Sequence, residues 1–227
     1  MRLLELYTSV QGEGPNVGRP TTFVRFAGCN MRCEGWPCDS PYAIYPEIWR
    51  HEMEAVTPSQ IAQRVDGLYP SHVCITGGEP LLQPGEELLH LIQALRSRGI
   101  TIDIFTNGSR RIKLIKEAFP HGVHFIMDWK LTGSGEGESF LETRTRNLRF
   151  LTSTDAVKFV AKDTDDLEEA AKLIAKWGST PYRKYIAPAW GFEPKEVIAF
   201  MEYEELHDVY LNIQVHKYIF DPGRRGI

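Results

Sequence analysis

The sequence predicts an α/β protein built as an open, partial parallel β/α barrel of six to seven strands. Three observations carry that expectation. Short apolar runs recur along the chain, amphipathic stretches with helix start and stop signals lie between them, and no internal repeat or low-complexity linker interrupts the alternation. Strand–helix alternation sustained this long implies parallel βα units joined by right-handed crossovers. So few strands cannot close an eight-stranded barrel. An active site is then expected at the C-terminal ends of the strands. The 227 residues suit one domain spanning 1–227, long enough to bury a core.

Strands are read at residues 22–26, 73–76, 100–105, 123–127, 156–160, 184–187 and 209–215. Residues 100–105 alternate, with Ile100, Ile102 and Ile104 on one face. The others are nearly continuous apolar runs, the pattern of strands covered on both sides. Between them, Thr57-Pro58-Ser59-Gln60 offers an N-cap, a proline at the first helical position and a capping-box glutamine. Residues 84–98 place Leu88, Leu91, Ile92 and Leu95 at helical spacing, and Gly99 stops the run. Residues 166–177 carry Leu167, Ala170, Ala171 and Ile174 on one face before Gly178, and Pro194–Tyr203 starts on proline and carries Val197, Ile198 and Met201.

Composition narrows the function classes. Hydrophobic content of 42% and charged content of 25% are those of an ordinary globular protein. A net charge of −4 supplies no bulk cationic field toward nucleic acid or a membrane, and an Arg224–Arg225 pair lies in the last residues of the sequence. The first apolar run, Leu3–Leu4, is broken by Glu5, so no signal-peptide core is expected. Nor is any apolar run long enough to span a bilayer. The expected compartment is the cytoplasm, where structural disulfides are disfavoured.

That compartment makes the cysteines informative. Three of the four, Cys29, Cys33 and Cys38, fall within ten residues of a loop at about 28–40 that leaves the 22–26 strand. Three thiolates in one loop can wrap an iron–sulfur cluster and leave one iron open, or hold zinc with a fourth ligand such as Cys74 or a histidine. Cys74, alone in a strand, reads as a buried small hydrophobe. One βα unit later comes Thr76-Gly77-Gly78-Glu79-Pro80, whose glycines let backbone approach a neighbour closely.

At this point the chain resembles a known family. The cysteine loop is similar to the signature of radical S-adenosylmethionine (SAM) enzymes, with Cys-x3-Cys-x4-Cys in place of Cys-x3-Cys-x2-Cys. The aromatic residue that usually precedes the third cysteine is replaced by Pro37, with Trp36 as its substitute. Gly77-Gly78-Glu79-Pro80 resembles the glycine motif of the same superfamily. Ser9-Val10-Gln11-Gly12-Glu13-Gly14, Gly18-Arg19-Pro20, Phe23-Val24-Arg25 and the ending Gln214-Val215-His216-Lys217 resemble the 7-carboxy-7-deazaguanine synthases. Thr106-Asn107-Gly108 and Asp128-Trp129-Lys130 fall where that family has comparable elements, so the resemblance runs over nearly the whole chain.

The resemblance implies conversion of 6-carboxy-5,6,7,8-tetrahydropterin to 7-carboxy-7-deazaguanine with loss of ammonia. A reduced [4Fe–4S] cluster splits SAM, the 5′-deoxyadenosyl radical takes a hydrogen atom from the pterin, and SAM is re-formed. Mg2+, a flavodoxin- or ferredoxin-type electron donor and a homodimer belong to the same expectation. Cys29, Cys33 and Cys38 are implied as cluster ligands. Val10, Gln11, Gly12, Glu13, Arg25 and Thr76 are implied on the pterin, with Glu13 accepting from its N–H groups and Arg25 pairing with its carboxylate. Pro37, Cys38, Asp39, Gly78, Asp128, Trp129, Lys130, Ala187, Pro188, Ala189 and Trp190 are implied on SAM, and Ser40 on Mg2+.

Each residue also has a plainer reading. Arg25 can pair with a structural acid, Ser40 can cap a turn, Asp128 and Lys130 can form an ion pair, Trp129 can simply pack, and His216 can support the core. The C-terminal extension at about 216–227 either lies over the pocket with its arginine pair, sits at a subunit contact, or frays. Two rivals stand beside the main expectation. One is a glycyl-radical activase, which shares the cluster and the Gly-Gly-Glu motif but acts on a protein. The other is a non-enzymatic zinc-binding module.

Overall fold

The computed structural model describes residues 1–35, 38–68, 70–221 and 224–226. The chain opens with β1 (Arg2–Val10) and β2 (Pro20–Phe26), then α1 (Pro41–Ile44), α2 (Pro46–Glu52), β3 (Glu54–Ala55), α3 (Pro58–Asp66) and β4 (His72–Gly77). It continues through α4 (Gly85–Arg96), β5 (Thr101–Thr106), α5 (Lys113–Ala118), β6 (Val123–Trp129), α6 (Leu141–Asn147) and β7 (Ala156–Ala161). It ends with α7 (Thr164–Trp177), β8 (Arg183–Pro188), α8 (Pro194–Tyr203), β9 (Val209–Leu211) and α9 (His216–Ile219).

Among the described residues, nine strands form one sheet in the order β3-β1-β2-β4-β5-β6-β7-β8-β9. From β2 to β9 every neighbouring pair is parallel, a run of seven strands. The end strands β3 and β9 do not pair, so the barrel is open.

Two antiparallel strands at the β2 edge are additions to the sequence expectation. The segment that forms β1 carries no strand signal in the sequence reading. Of its nine residues only Leu3 is buried, and a half-covered antiparallel strand shows no continuous apolar run. At the other edge the run expected over 209–215 pairs only as Val209–Leu211. Asn212 turns out of it and accepts the Gly14 amide on its Oδ1 at 2.8 Å.

The helices follow their local signals. The Thr57 hydroxyl accepts from the Gln60 amide at 3.3 Å, and Gln60 Oε1 accepts from the Thr57 amide at 2.8 Å. Leu88, Leu91, Ile92 and Leu95 of α4 are buried, and Gly99 takes φ 77° beyond its end. Asp163 caps α7, whose Leu167, Ala170 and Ile174 face the sheet core.

Alternation along each strand sorts the side chains into two chambers. Val24, Val73, Ile75, Ile102, Ile104, Phe125, Met127, Val157 and Phe159 join the core. The residues between them, among them Phe23, Arg25, Cys74, Phe105, Ile126, Asp128 and Lys158, face an inner cavity. Two loops meet that cavity from opposite ends. The cysteine loop leaves the C-terminal end of β2, whereas residues 11–19 join β1 to β2 at the other end, beside the Val10–Pro20 pairing. No helix among the described residues is long and apolar enough to cross a membrane.

Candidate functional site

The inner cavity has a volume of about 310 Å³. Cys29, Cys33 and Cys38 all line it. Burial pushes each thiol up, Cys33 to about 11, while the ammonium of Lys130 pulls all three back. Thiols in this state ionise when a metal centre replaces the proton, so the donor set suits a thiolate-bound cluster. Pro37 and Trp36 lie outside the described residues.

The glycine motif packs backbone on backbone. A Cβ on Gly77 would stand 2.1 Å from the Phe26 carbonyl oxygen, and one on Gly78 would stand 2.4 Å from that of Gly28. The motif therefore brings the end of β4 directly against the start of the cysteine loop. Glu79 is fully buried beneath it and accepts from the Asn107 amide at 2.6 Å, the Leu81 amide at 3.0 Å and the Thr106 hydroxyl at 2.8 Å. Burial lifts its carboxyl to about 7, against those three hydrogen bonds. Asn107 in turn bonds Asn30, tying the end of β5 to the cysteine loop.

From the opposite end, Val10, Gln11, Gly12 and Glu13 line the cavity. The 11–19 loop is pinned by Gly14 on Asn212 and by Asn16, which donates to both oxygens of Asp103 at 2.9 and 3.1 Å. Glu13 Oε2 takes Lys158 Nζ at 2.6 Å and Oε1 takes Gln214 Nε2 at 2.7 Å. Burial raises the Glu13 carboxyl, but Lys158 and Gln214 outweigh it and hold it below the usual carboxylate range. Among the described residues, two buried polar side chains in this chamber lack a strong partner: Asp128, whose acceptor Oδ1 has none, and Gln11, whose amide reaches only the weakly accepting Cys74 sulfur. Such under-satisfied groups are rare in folded proteins, and here they face space that a polar ligand can fill.

Arg25 and Thr76 are register partners on adjacent strands, and both line the cavity. The Arg25 guanidinium donates to Glu5 Oε2 at 2.7 Å, the Ser40 hydroxyl at 3.1 Å and the Tyr7 hydroxyl at 3.3 Å. The pairing with a structural acid is thus present.

Asp128 and Lys130, two residues apart at the end of β6, share the cavity face and are 2.9 Å from each other. The ring of Trp129, expected on SAM, is turned away by the same alternation. It points the other way, 3% exposed, packed edge-on to Trp177 at 4.8 Å and under Arg144. Gly78, Asp39, Ala187, Pro188, Ala189 and Trp190 line the cavity. Trp190 is 53% exposed, with Lys217 Nζ 5.0 Å from its ring centre. The C-terminal arginines also line it. Arg225 stacks 3.6 Å over Tyr42 and pairs with Glu5 and Glu52, so the extension lies over the pocket.

A profile of the Radical SAM superfamily matches residues 23–128, the stretch from β2 to the end of β6. The 7-carboxy-7-deazaguanine synthase of Clostridium acetobutylicum is 34% identical over 229 aligned residues, covering 100% of this chain and 99% of that one. The chain belongs to the 7-carboxy-7-deazaguanine synthase family. The synthase of Koribacter versatilis, also 34% identical, is covered in full by a full-length match. The crystal structure of QueE from Escherichia coli superposes with a TM-score of 0.73 at 22% identity, over 95% of this chain and 94% of that one, and shares the fold. As a radical SAM protein the chain calls for an iron–sulfur cluster and SAM; Cys29, Cys33 and Cys38 line one cavity, although among the described residues no three ligating side chains stand close enough together to hold a single metal ion.

Sequence reasoning missed Lys158, Tyr7 and Tyr42 in the cavity wall and gave Gln214, His216 and Lys217 no partners. Lys158 did leave a signal. It is a charge inside the apolar run Ala156–Ala161, where a buried charge needs a partner.

Proposed function

We propose that this chain is a radical SAM lyase converting 6-carboxy-5,6,7,8-tetrahydropterin to 7-carboxy-7-deazaguanine with loss of ammonia, a step of 7-deazapurine (queuosine- or preQ0-type) biosynthesis. The observation that carries the reading is the single chamber in which three thiols of one loop meet Glu13 and Arg25 from other segments. Family membership over the full chain supports the same conclusion. The reading takes residues 1–227 as one working domain in the cytoplasm, acting as a homodimer with a flavodoxin- or ferredoxin-type reductant.

When bound, the cluster and SAM supply a 5′-deoxyadenosyl radical that removes a hydrogen atom from the pterin. The protein's own part is to bind, orient and exclude water. Cys29, Cys33 and Cys38 would hold the cluster. Glu13, ionised against Lys158, accepts from the pterin N–H groups, and Gln11 Nε2 finds a stronger acceptor than the Cys74 sulfur. Arg25 and Thr76, side by side, face the substrate carboxylate, while Tyr7 and Glu5 fix the guanidinium plane. Asp39, Gly78, Asp128, Lys130 and the Ala187–Trp190 segment line the part of the cavity that would hold SAM, and Asp128 Oδ1 would be free to accept from it.

Mg2+ belongs to the finer reading. The Ser40 hydroxyl lines the cavity and already accepts from Arg25 at 3.1 Å. A dication beside a guanidinium needs anionic oxygens, which the substrate carboxylate brings together with waters. Ser40→Ala is therefore expected to flatten the Mg2+ titration of the reaction, and an unaltered titration removes Ser40 from the metal. The whole reading is tested by anaerobic incubation with SAM, reductant and the carboxypterin, followed by mass spectrometry. The deazaguanine acid is expected; SAM cleavage without it overturns the substrate, and a closed zinc site without SAM cleavage overturns the chemistry.

A further inference from the structure

The Gln-x-His-Lys segment has no role in the mechanism above, yet it touches both halves of the cavity. The Gln214 side-chain nitrogen donates to Glu13 Oε1 at 2.7 Å and to Asp39 Oδ2 at 2.6 Å, groups 201 and 175 residues away in the chain. An amide nitrogen has two hydrogens, so both are committed to carboxylates. The remaining oxygens are also held, that of Glu13 by Lys158 at 2.6 Å and that of Asp39 by Lys217. His216 seats the segment on the 11–19 loop. A Cβ at Gly12 would fall 1.9 Å from its Nδ1, and the Val215 amide donates to the Gly12 carbonyl at 3.1 Å. Lys217 carries the other end to Trp190, 5.0 Å below its ammonium.

We propose that Gln214 is a positioning residue that couples pterin binding to SAM binding, by fixing Glu13 and Asp39 to one neutral donor. The inference rests on the functional reading above. Asp39 follows Cys38 in the loop that faces SAM, and Glu13 faces the pterin. Whichever ligand arrives first orders its own carboxylate and, through the shared amide, orders the other. Without that amide the two carboxylates repel each other, as the upward pull of Asp39 on Glu13 indicates. Coupling of this kind is reciprocal: each ligand tightens the other by the same factor.

The test is anaerobic calorimetry on the reconstituted holoenzyme with its cluster oxidised, so that neither ligand turns over. The Kd of SAM is measured with and without saturating 6-carboxytetrahydropterin, and the Kd of the pterin with and without SAM. In the natural protein each ligand is expected to tighten the other by about tenfold, within the usual range of such couplings. Gln214→Leu should collapse the ratio to nearly one. Gln214→Glu, of equal size, places a third carboxylate between the two and should invert the ratio, an effect loss of packing cannot produce. Thermal unfolding of both variants checks that they are folded, and either alone decides the matter. A ratio retained in both variants, or a ratio of one in a natural protein that binds both ligands, overturns the coupling and leaves the function intact. A natural protein that binds SAM but no carboxypterin overturns the functional reading and the coupling with it.

Discussion

The two ends of the cavity are built by opposite rules. At the C-terminal end of β2, three chemically distinctive residues sit in ten consecutive positions, Cys29 to Cys38, and line one cavity because the chain gives them little choice. At the other end, Glu13 is useful only because Lys158 and Gln214 arrive from 145 and 201 residues away. The first end is specified by spacing, the second by the closure of the whole sheet. A local site can be ruined by one atom. A site assembled from a distance loses its tuning before it loses its shape.

The sharpest test of the local end is Cys33→Ala. With one of three ligands gone, the visible absorbance of the cluster and its complement of about four irons per chain should disappear, while the fold, whose core lies on the other face of the sheet, persists. Absorbance retained in the variant would mean that the thiol set has been misassigned.

Next in size is a test of which face of β6 does what. Trp129→Ala removes a ring 3% exposed, wedged against Trp177 and Arg144. It should destabilise the fold by about 3–5 kcal/mol without changing SAM affinity in the protein that remains folded. A selective loss of SAM binding at unchanged melting temperature would restore Trp129 to the site. Asp128 and Lys130, one step either side, stand on the cavity face.

These contrasts explain how much was legible in advance. The seven parallel strands and the main helices follow from apolar runs, Thr57, Gly99 and the α7 face, because burial and capping are local properties of sequence. β1 was hidden because a strand half open to solvent has no run to read, and β9 shortened because Asn212 is recruited by Gly14, a contact no window of sequence contains. In the cavity, the thiols and the glycine motif were readable from spacing. The reason for the glycines was not, since Gly77 and Gly78 make room for the backbone of Phe26 and Gly28. Glu79 and Lys158 were visible as letters but not as buried charges. Their meaning depends on partners across the sheet.

The distant end is probed by Lys158→Met. In the natural protein burial raises the Glu13 carboxyl, yet Lys158 and Gln214 bring it below the ordinary value. A carboxylate depressed by folding contributes stability that is fully present above its unfolded pKa and lost as pH falls through the folded one. Glu13 therefore stays charged at neutral pH and pterin affinity should be flat there. With methionine at 158, Gln214 remains to oppose burial and the repulsion of Asp39. The Glu13 pKa then moves upward, and pterin affinity should fall by about tenfold for each unit that pH drops below it. Burial holds the His216 pKa below the usual imidazole value, so its own titration is displaced toward acid. A pH profile identical in the two proteins would show that Lys158 does not control the charge on Glu13.

The smallest effect belongs to the contact that joins the C-terminal extension to the cavity. Arg225 is 39% exposed, stacked 3.6 Å over Tyr42, and it shares Glu5 with Arg25. Exposed ion pairs contribute little and are screened by salt, so Arg225→Ala should leave the melting temperature unmoved. Glu5 cannot relax freely, however, because its other oxygen fixes the Arg25 guanidinium at 2.7 Å and accepts from Tyr42 at 3.1 Å. Loss of Arg225 should therefore raise the KM for the carboxypterin by about two- to fivefold at low salt, with little change at high salt where the contact is already weak. A change in kcat instead of KM, or an effect that grows with salt, would place Arg225 on the reacting groups themselves, and would make the far end of the chain a part of the site rather than a brace on its wall.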